Sequence, residues 1–257
     1  MEHYVTQIAC VTVKENGELV GDLDLLVQKA ICSRFEADGY RVIGEEGAEE
    51  FGSLDTGKVI LVDPIDGTHN LMLGLPLFGC MLTFIEEGSV WASMIWLPAE
   101  QRLGSGGLYI AARGEGAWLY RSPTSSERLG VSNTDRISQA FVSLEGKTHA
   151  LSNSEAAQRL VRISRRSRHG LSSCWAGTRL AQGSRTLTSL DALLCVGNNP
   201  WDTLPVALLA EEAGGRVTDL QGRPWSLTNC STLLMSNGLL HQEVLQAIAG
   251  PSSENAL

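Results

Sequence analysis

Asp63-Pro64-Ile65-Asp66-Gly67-Thr68 stands directly after the aliphatic run Val59-Ile60-Leu61-Val62. Such a run reads as a buried strand. Two carboxylates three positions apart are thereby set at a strand end, with a hydroxyl and a Gly-Thr step beside them. Carboxylates of this density, with Thr68 close by, form an oxygen-rich cluster suited to a hard cation such as Mg²⁺. If Gly67 and Thr68 open a helix, their N–H groups suit a phosphate. Metal and phosphate chemistry are both suggested within six residues.

Two further acidic elements agree. Trp201-Asp202 precedes the stretch Thr203 to Ala213, and Gly214-Gly215 follows it. Asp202 is expected as the N-cap of a helix, because its carboxylate can accept from the first turn's orphan N–H groups. Pro205 is expected within that first turn, and the glycines supply the stop. Leu204, Ala207, Leu208 and Glu211 share one mostly apolar side. A cap alone would also explain Asp202. The third element, Gly44-Glu45-Glu46-Gly47, follows Val42-Ile43 and could equally be a solvated turn.

The elements that must carry these groups are mixed. Leu23, Leu26, Val27, Ala30, Ile31 and Phe35 recur at helical spacing, which predicts an amphipathic helix over 22–35. Residues 79–97 read as two strands around Glu87-Gly88, and 107–121 as two more around Arg113 to Gly116. Ser122 to Ser126 reads as a polar loop. Ser152 with Glu155 suggests a capping box for a helix near 153–164. Arg162, Arg165, Arg166 and Arg168 read as a solvated face that could also help hold an anion.

Composition bounds the function. The chain has 257 residues, is 43% hydrophobic and carries a formal net charge of −9. That is enough for a sizeable core. The acidic balance argues against nucleic acid as a partner, which would call for a basic surface. It does not exclude anionic substrates, because a bound divalent cation inverts the local field. Six scattered cysteines without a Cys-x-x-Cys pair read as reduced thiols of a cytoplasmic protein. No signal-like start and no membrane-length apolar run are evident, so no membrane partner is expected.

Taken in order, the Gly-Glu-Glu element, Asp-Pro-Ile-Asp-Gly-Thr, and Trp-Asp before a helix ending Glu-Glu-Ala-Gly-Gly resemble the inositol monophosphatase family of Mg²⁺-dependent, lithium-sensitive phosphatases. Val20-Gly21-Asp22-Leu23-Asp24, Gly114-Glu115-Gly116-Ala117-Trp118 and Leu234-Met235-Ser236-Asn237-Gly238 add weaker matches. The resemblance runs from about residue 12 to about residue 248. It implies a layered αβαβα sandwich, of α+β or α/β class. The first helix would be short, because few residues precede Lys14. It also implies one phosphatase-like domain over 1–257. An antiparallel-sheet half would cover about 1–150 and an α/β half about 151–257. A homodimer is the implied assembly.

The resemblance assigns roles residue by residue. Glu45, Asp63 and the Ile65 carbonyl would hold one Mg²⁺, and Asp63, Asp66 and Asp202 a second, with two or three ions in all. Glu45 and Thr68 would position and activate the attacking water, and Gly67 and Thr68 would receive the substrate phosphate. Asp24 would lie near the metal's waters, and Glu46 beside the site. Cys195, six residues before Trp201, stands where inositol phosphatases have Glu and histidinol-phosphate phosphatases tend to have Asp. A thiol replaces neither as a hydrogen-bond acceptor. Gly21 stands where the family often has Thr, and His69 near the site reads as an ordinary, partly exposed histidine. The segment 168–191 fits poorly, with either Gly183-Ser184 or Gly170-Leu171-Ser172 as the start of the family's small-residue helix.

The expected activity is hydrolysis of a small phosphomonoester, a polyol or sugar phosphate such as an inositol phosphate. Histidinol phosphate comes next, then a bisphosphorylated nucleotide or fructose 1,6-bisphosphate. A non-catalytic homologue that binds metal or a phosphorylated ligand stays open. So does an interaction protein whose acids are only caps and turns.

Overall fold

The computed structural model describes residues 11–13, 19–45, 53–102, 107–183 and 189–249. The expected short first helix and Glu46 lie outside the described residues. A small antiparallel pair, β1 (Val11–Val13) and β2 (Leu19–Gly21), leads into helix α1 (Asp22–Phe35). Seven strands then form one sheet: β3 (Arg41–Gly44), β4 (Lys58–Asp66), β5 (Gly79–Glu86), β6 (Ser89–Trp96), β7 (Leu108–Ala112), β8 (Gly116–Ser122) and β9 (Ser125–Arg128), with the short helices α2 (Thr68–Met72) after β4 and α3 (Pro98–Arg102) after β6. The strands lie side by side in sequence order. All neighbours are antiparallel except β3 and β4, which are parallel.

A second sheet has the order β11-β10-β12-β14-β13, from β10 (Phe141–Gly146), β11 (Arg166–His169), β12 (Ala192–Val196), β13 (Arg216–Thr218) and β14 (Leu233–Ser236). β10 runs parallel to both β11 and β12, and β14 is antiparallel to both its neighbours. Because β10 belongs here, the seam between the halves falls between residues 128 and 141, ahead of the expected position near 150.

Side-chain alternation builds the layers. In β4, Val59 and Leu61 join the large core between the sheets, whereas Ile60 and Val62 join a smaller cluster with Ile31 and Phe35 of α1. Successive strand residues point to opposite faces, so a continuous aliphatic run serves both. Helices α6 (Ser173–Gln182) and α7 (Pro200–Glu212) fill the middle layer. Helices α5 (Glu155–Ile163) and α8 (His241–Ala249) pack on the outer face of the second sheet with Val142, Leu144, Ala192 and Leu194. The sequence of layers is α1, first sheet, α6 and α7, second sheet, α5 and α8, which is the αβαβα sandwich.

Several local expectations change. In α1, Leu26 is 64% exposed, and the inward face runs through Leu23, Asp24, Val27, Ile31 and Phe35 instead. The cap of α5 is Ser154, whose hydroxyl accepts from Ala157 N–H at 3.2 Å; Ser152 lies within the separate short helix α4 (Thr148–Asn153). Most of the expected polar loop 122–126 is the tight β8–β9 hairpin. Arg166 and Arg168 sit on the edge strand β11.

Candidate active site

β4 carries the first carboxylates, and a backbone irregularity aims them. Asp63 pairs with Met81 and Asp66 with Gly79, so three steps on β4 match two on β5. The extra residue is a β-bulge next to Pro64, which has no N–H for the ladder. Residues three apart on a regular strand face opposite sides. The bulge cancels that inversion, and both Asp63 and Asp66 reach the layer occupied by α6 and α7.

Gly67 then turns the chain with φ 85° into α2 (Thr68–Met72). A side chain there would meet the Leu77 carbonyl oxygen at 2.6 Å, so glycine is required both by conformation and by space. The Thr68 hydroxyl donates to the Ile65 carbonyl at 2.9 Å. Asn70, buried, donates to the carbonyls of Leu77 and Gly170 and so ties α2 to the loop before α6. Glu45 follows β3 and is hooked alongside β4 by its N–H donating to Val62 O at 3.0 Å.

Asp202 arrives on α7, and its position differs from expectation. The N-cap is Asn199, and Asp202 is the third helical residue, its carboxylate accepting from Asn199 N–H at 2.8 Å. Pro205 accordingly lies inside the helix, beyond the first turn. Helix α6 begins at Ser172, which settles the segment that matched poorly: Gly170-Leu171-Ser172 is the start and Gly183 the end. Ser172 has φ 72°, a conformation uncommon for a non-glycine residue. Its hydroxyl accepts from Trp175 N–H, and the Asp66 carboxylate accepts from the N–H of Cys174. Asp66 is thus held at the positive end of α6.

These groups line one cavity of about 490 Å³, together with Glu45, Asp63, Ile65, Gly67, Thr68 and Asp202. Burial, followed by the charges of Asp66, Glu45 and Asp202, pushes the Asp63 carboxyl well above its ordinary range. Asp202 is pushed up to about 8 by burial first and the charge of Asp66 next, against the Asn199 N–H that favours its ionised form. Asp66 is also raised by burial, with the donors at the start of α6 opposing. Carboxylates crowded this way hold charge only with a counter-ion between them.

Asp63 fits a cation best. Its Oδ1 is buried without a hydrogen-bond donor. A buried carboxylate oxygen without a donor is costly unless a cation takes it up. Among the described residues, no three His, Cys, Asp or Glu side chains have their donor atoms set as a ready metal group. Asp66 is engaged with the start of α6 and Asp202 with the Asn199 N–H.

Other expected residues fall elsewhere. Asp24 is 3% exposed on α1 and does not line the cavity. Cys195 is fully buried in the core between the sheets, behind the cavity wall. None of Arg162, Arg165, Arg166 and Arg168 lines the cavity; His69 does, and it is exposed. The wall also contains residues the sequence reading passed over: Glu145, Lys147, Thr148, Ser173, Asn198 and Asn199. Glu145-Gly146 does carry a signal, an acid beside glycine ending the strand-like run Phe141 to Leu144, as Gly44-Glu45 ends another.

Comparison with known proteins identifies the family and the fold. The model of the inositol monophosphatase family matches residues 2–252. A histidinol-phosphatase of Chlorobaculum parvum is 30% identical over 223 residues, 87% of this chain and 79% of that protein. A fructose-1,6-bisphosphatase/inositol-1-monophosphatase of Thermotoga maritima is 28% identical, over 90% of this chain and 82% of its own. The solved structure of an IMPase from Thermotoga maritima superposes with a TM-score of 0.80 at 25% identity, covering 96% of this chain and 90% of that one.

Proposed function

Because this chain belongs to the inositol monophosphatase family, whose members are Mg²⁺-dependent phosphomonoester hydrolases, we propose that its cavity hydrolyses a small phosphorylated alcohol, a polyol or sugar phosphate. The observation that carries this reading is the convergence of Glu45, Asp63, Asp66 and Asp202 on one cavity, with a buried Asp63 oxygen lacking a donor. Glu45, Asp63, the Ile65 carbonyl, Asp66 and Asp202 would hold two or three Mg²⁺. Bound Mg²⁺ neutralises the phosphoryl charge and makes water acidic enough to attack near neutral pH.

The chain's own groups do the rest. Glu45 accepts the proton of the attacking water. Thr68, whose hydroxyl now donates to Ile65, orients that water from the adjoining turn. The first N–H groups of α2, at Gly67 and Thr68, have no helical carbonyl to bond and face the phosphate oxygens. A histidinol phosphate is the second reading, favoured by the 30% identity to a histidinol-phosphatase.

Phosphate release from a panel of phosphomonoesters, with and without Mg²⁺, tests the proposal. Metal-dependent turnover of at least one small alcohol phosphate is the expected outcome. No release from any of them, at Mg²⁺ concentrations that shift the melting temperature, would mean the chain binds metal without catalysis. A cytoplasmic setting and a homodimer belong to the same proposal. The described cysteines are all free, which suits a reducing compartment, and no described helix is long and apolar enough to cross a membrane. Light scattering on the purified chain tests the dimer.

A further inference from the structure

Glu145 ends β10 on the cavity side of the second sheet. In the parallel β10–β12 ladder it is the direct partner of Cys195. Ser143, Glu145 and Cys195 share the inner face of that sheet, since Val142, Leu144 and Val196 pack on the outer one. Cys195 is sealed in the core, whereas Glu145, 4% exposed, lines the cavity beside Gly146, Lys147, Asn198 and Asn199. The acid missing at position 195 is thus present one strand over, at the same level of the sheet.

The Glu145 carboxylate is fixed from behind. The Ser143 hydroxyl donates to Oε1 at 2.7 Å and Leu171 N–H donates to the same oxygen at 3.1 Å. A carboxylate offers roughly four acceptor sites, so capacity remains on the cavity side. Burial raises the Glu145 carboxyl to about 7 against these donors, and in the ionised form that the donors favour it only accepts, so it selects a ligand that donates. Glu145 is not among the residues assigned above to metal or phosphate, yet it lines the same cavity as Asp66, Gly67 and Thr68.

We propose that Glu145 is a specificity-determining residue that accepts a hydrogen bond from a hydroxyl or ammonium group of the leaving alcohol. This rests on the phosphatase reading above. The favoured substrates are phosphomonoesters whose alcohol carries a donor a few atoms from the ester oxygen, whether a polyol or an amino alcohol.

The test compares the wild-type chain and Glu145→Gln with Mg²⁺ on three compounds: a polyol phosphate, an amino-alcohol phosphate, and p-nitrophenyl phosphate, which has no donor on its alcohol. The expected result is a fall of about ten- to a hundredfold in the ratio of kcat/KM for a donor-bearing substrate to that for p-nitrophenyl phosphate. A fall confined to the polyol identifies a hydroxyl as the donor, and one confined to the amino alcohol an ammonium. Ratios that stay constant overturn the proposal, whether all three rates hold or all three drop together. The latter would mean that Glu145 only supports the loop at Leu171. If Glu145→Gln does not fold, Glu145→Asp, which withdraws the carboxylate by one methylene, is read by the same ratio. If the wild type releases phosphate from none of the three, the phosphatase reading fails, and calorimetric binding of the same compounds decides the role of Glu145. Weaker binding of a donor-bearing compound by the variant then supports it, and equal binding overturns it.

Discussion

At the scale of single residues, the site is a set of crowded acids whose repulsion protein donors oppose only in part, at Asp66 and Asp202. Asp63 is the centre: its neighbours Asp66, Glu45 and Asp202 all raise it, and one of its oxygens has no donor. Replacing it by Asn removes a charge the fold pays to bury. The Asp63→Asn and Asp202→Asn variants are therefore expected to stay folded and to lose Mg²⁺-dependent phosphate release by two or more powers of ten, roughly the scale set by losing a charged catalytic contact. The second readout is metal binding: Mg²⁺ should raise the melting temperature of the wild type and much less that of either variant. Turnover near the wild-type level in either one would remove that residue from the site. Cys195→Glu would be a poor way to supply the acid that position 195 lacks. The new carboxylate would be buried close to Glu145, Asp202 and Asp66.

At the scale of elements, helix positions depend on close approach. α6 packs on α7 through Gly177, where an added Cβ would lie 2.5 Å from the Val206 Cγ1 atom. Val206 is fully buried and β-branched, so it has little room to turn away. The Gly177→Ala variant gains helix propensity, about 1 kcal/mol, but forces the two helices apart, at about 1–3 kcal/mol. The expected net is a melting temperature lower by a few degrees, and because α6 and α7 carry Ser172 and Asp202, a lower kcat as well. An unchanged melt would show slack between the helices. α7 is tied at its other end to the β7–β8 turn, where Glu212 accepts from the N–H groups of Gly114 and Gly116, each at 2.9 Å.

At the scale of the whole molecule, β13, β14 and α8 are joined by a buried histidine. His241 bonds Thr218 Oγ1 at 2.8 Å through Nε2 and Ser236 Oγ at 2.9 Å through Nδ1. Burial, and then the charge of Arg216, lower its pKa to about 4. In the unfolded chain a histidine titrates near ~6.5. Between these values the unfolded state binds more protons, so stability rises with pH across the window. The contribution is complete above about 6.5 and is lost as pH falls through about 4. The raised carboxyls of Asp63, Glu145 and Asp202 act in the opposite sense over this range, so the histidine is read as the difference between the wild type and His241→Asn in urea melts, which should grow in favour of the wild type as pH rises from about 4 to about 6.5. A difference that does not change with pH would remove His241 from the acid sensitivity.

The sequence by itself determined the local chemistry: which strand ends carry acids, where Gly67 must turn the chain, and the pairs of strands around Glu87-Gly88 and Gly114. Those features follow from periodicity and backbone preference within a few residues. The order of the acidic motifs added the family resemblance, and with it the layered fold. Only the tertiary structure decided how the acids meet. Asp63 and Asp66 reach one side because a bulge against β5 cancels their odd spacing, and a bulge is defined by two strands. The stretch from Leu204 to Ala210 reads as a helix with one apolar face, yet every residue in it is buried, because a sheet lies on each side. Asp202 is the third residue of that helix because Asn199 takes the cap, a choice between two good capping residues that pattern alone leaves open. Glu145 escaped notice for the same reason that it matters. Its neighbour at position 195 lies far along the chain, and only the parallel register of β10 and β12 brings a cavity-lining acid beside a buried thiol.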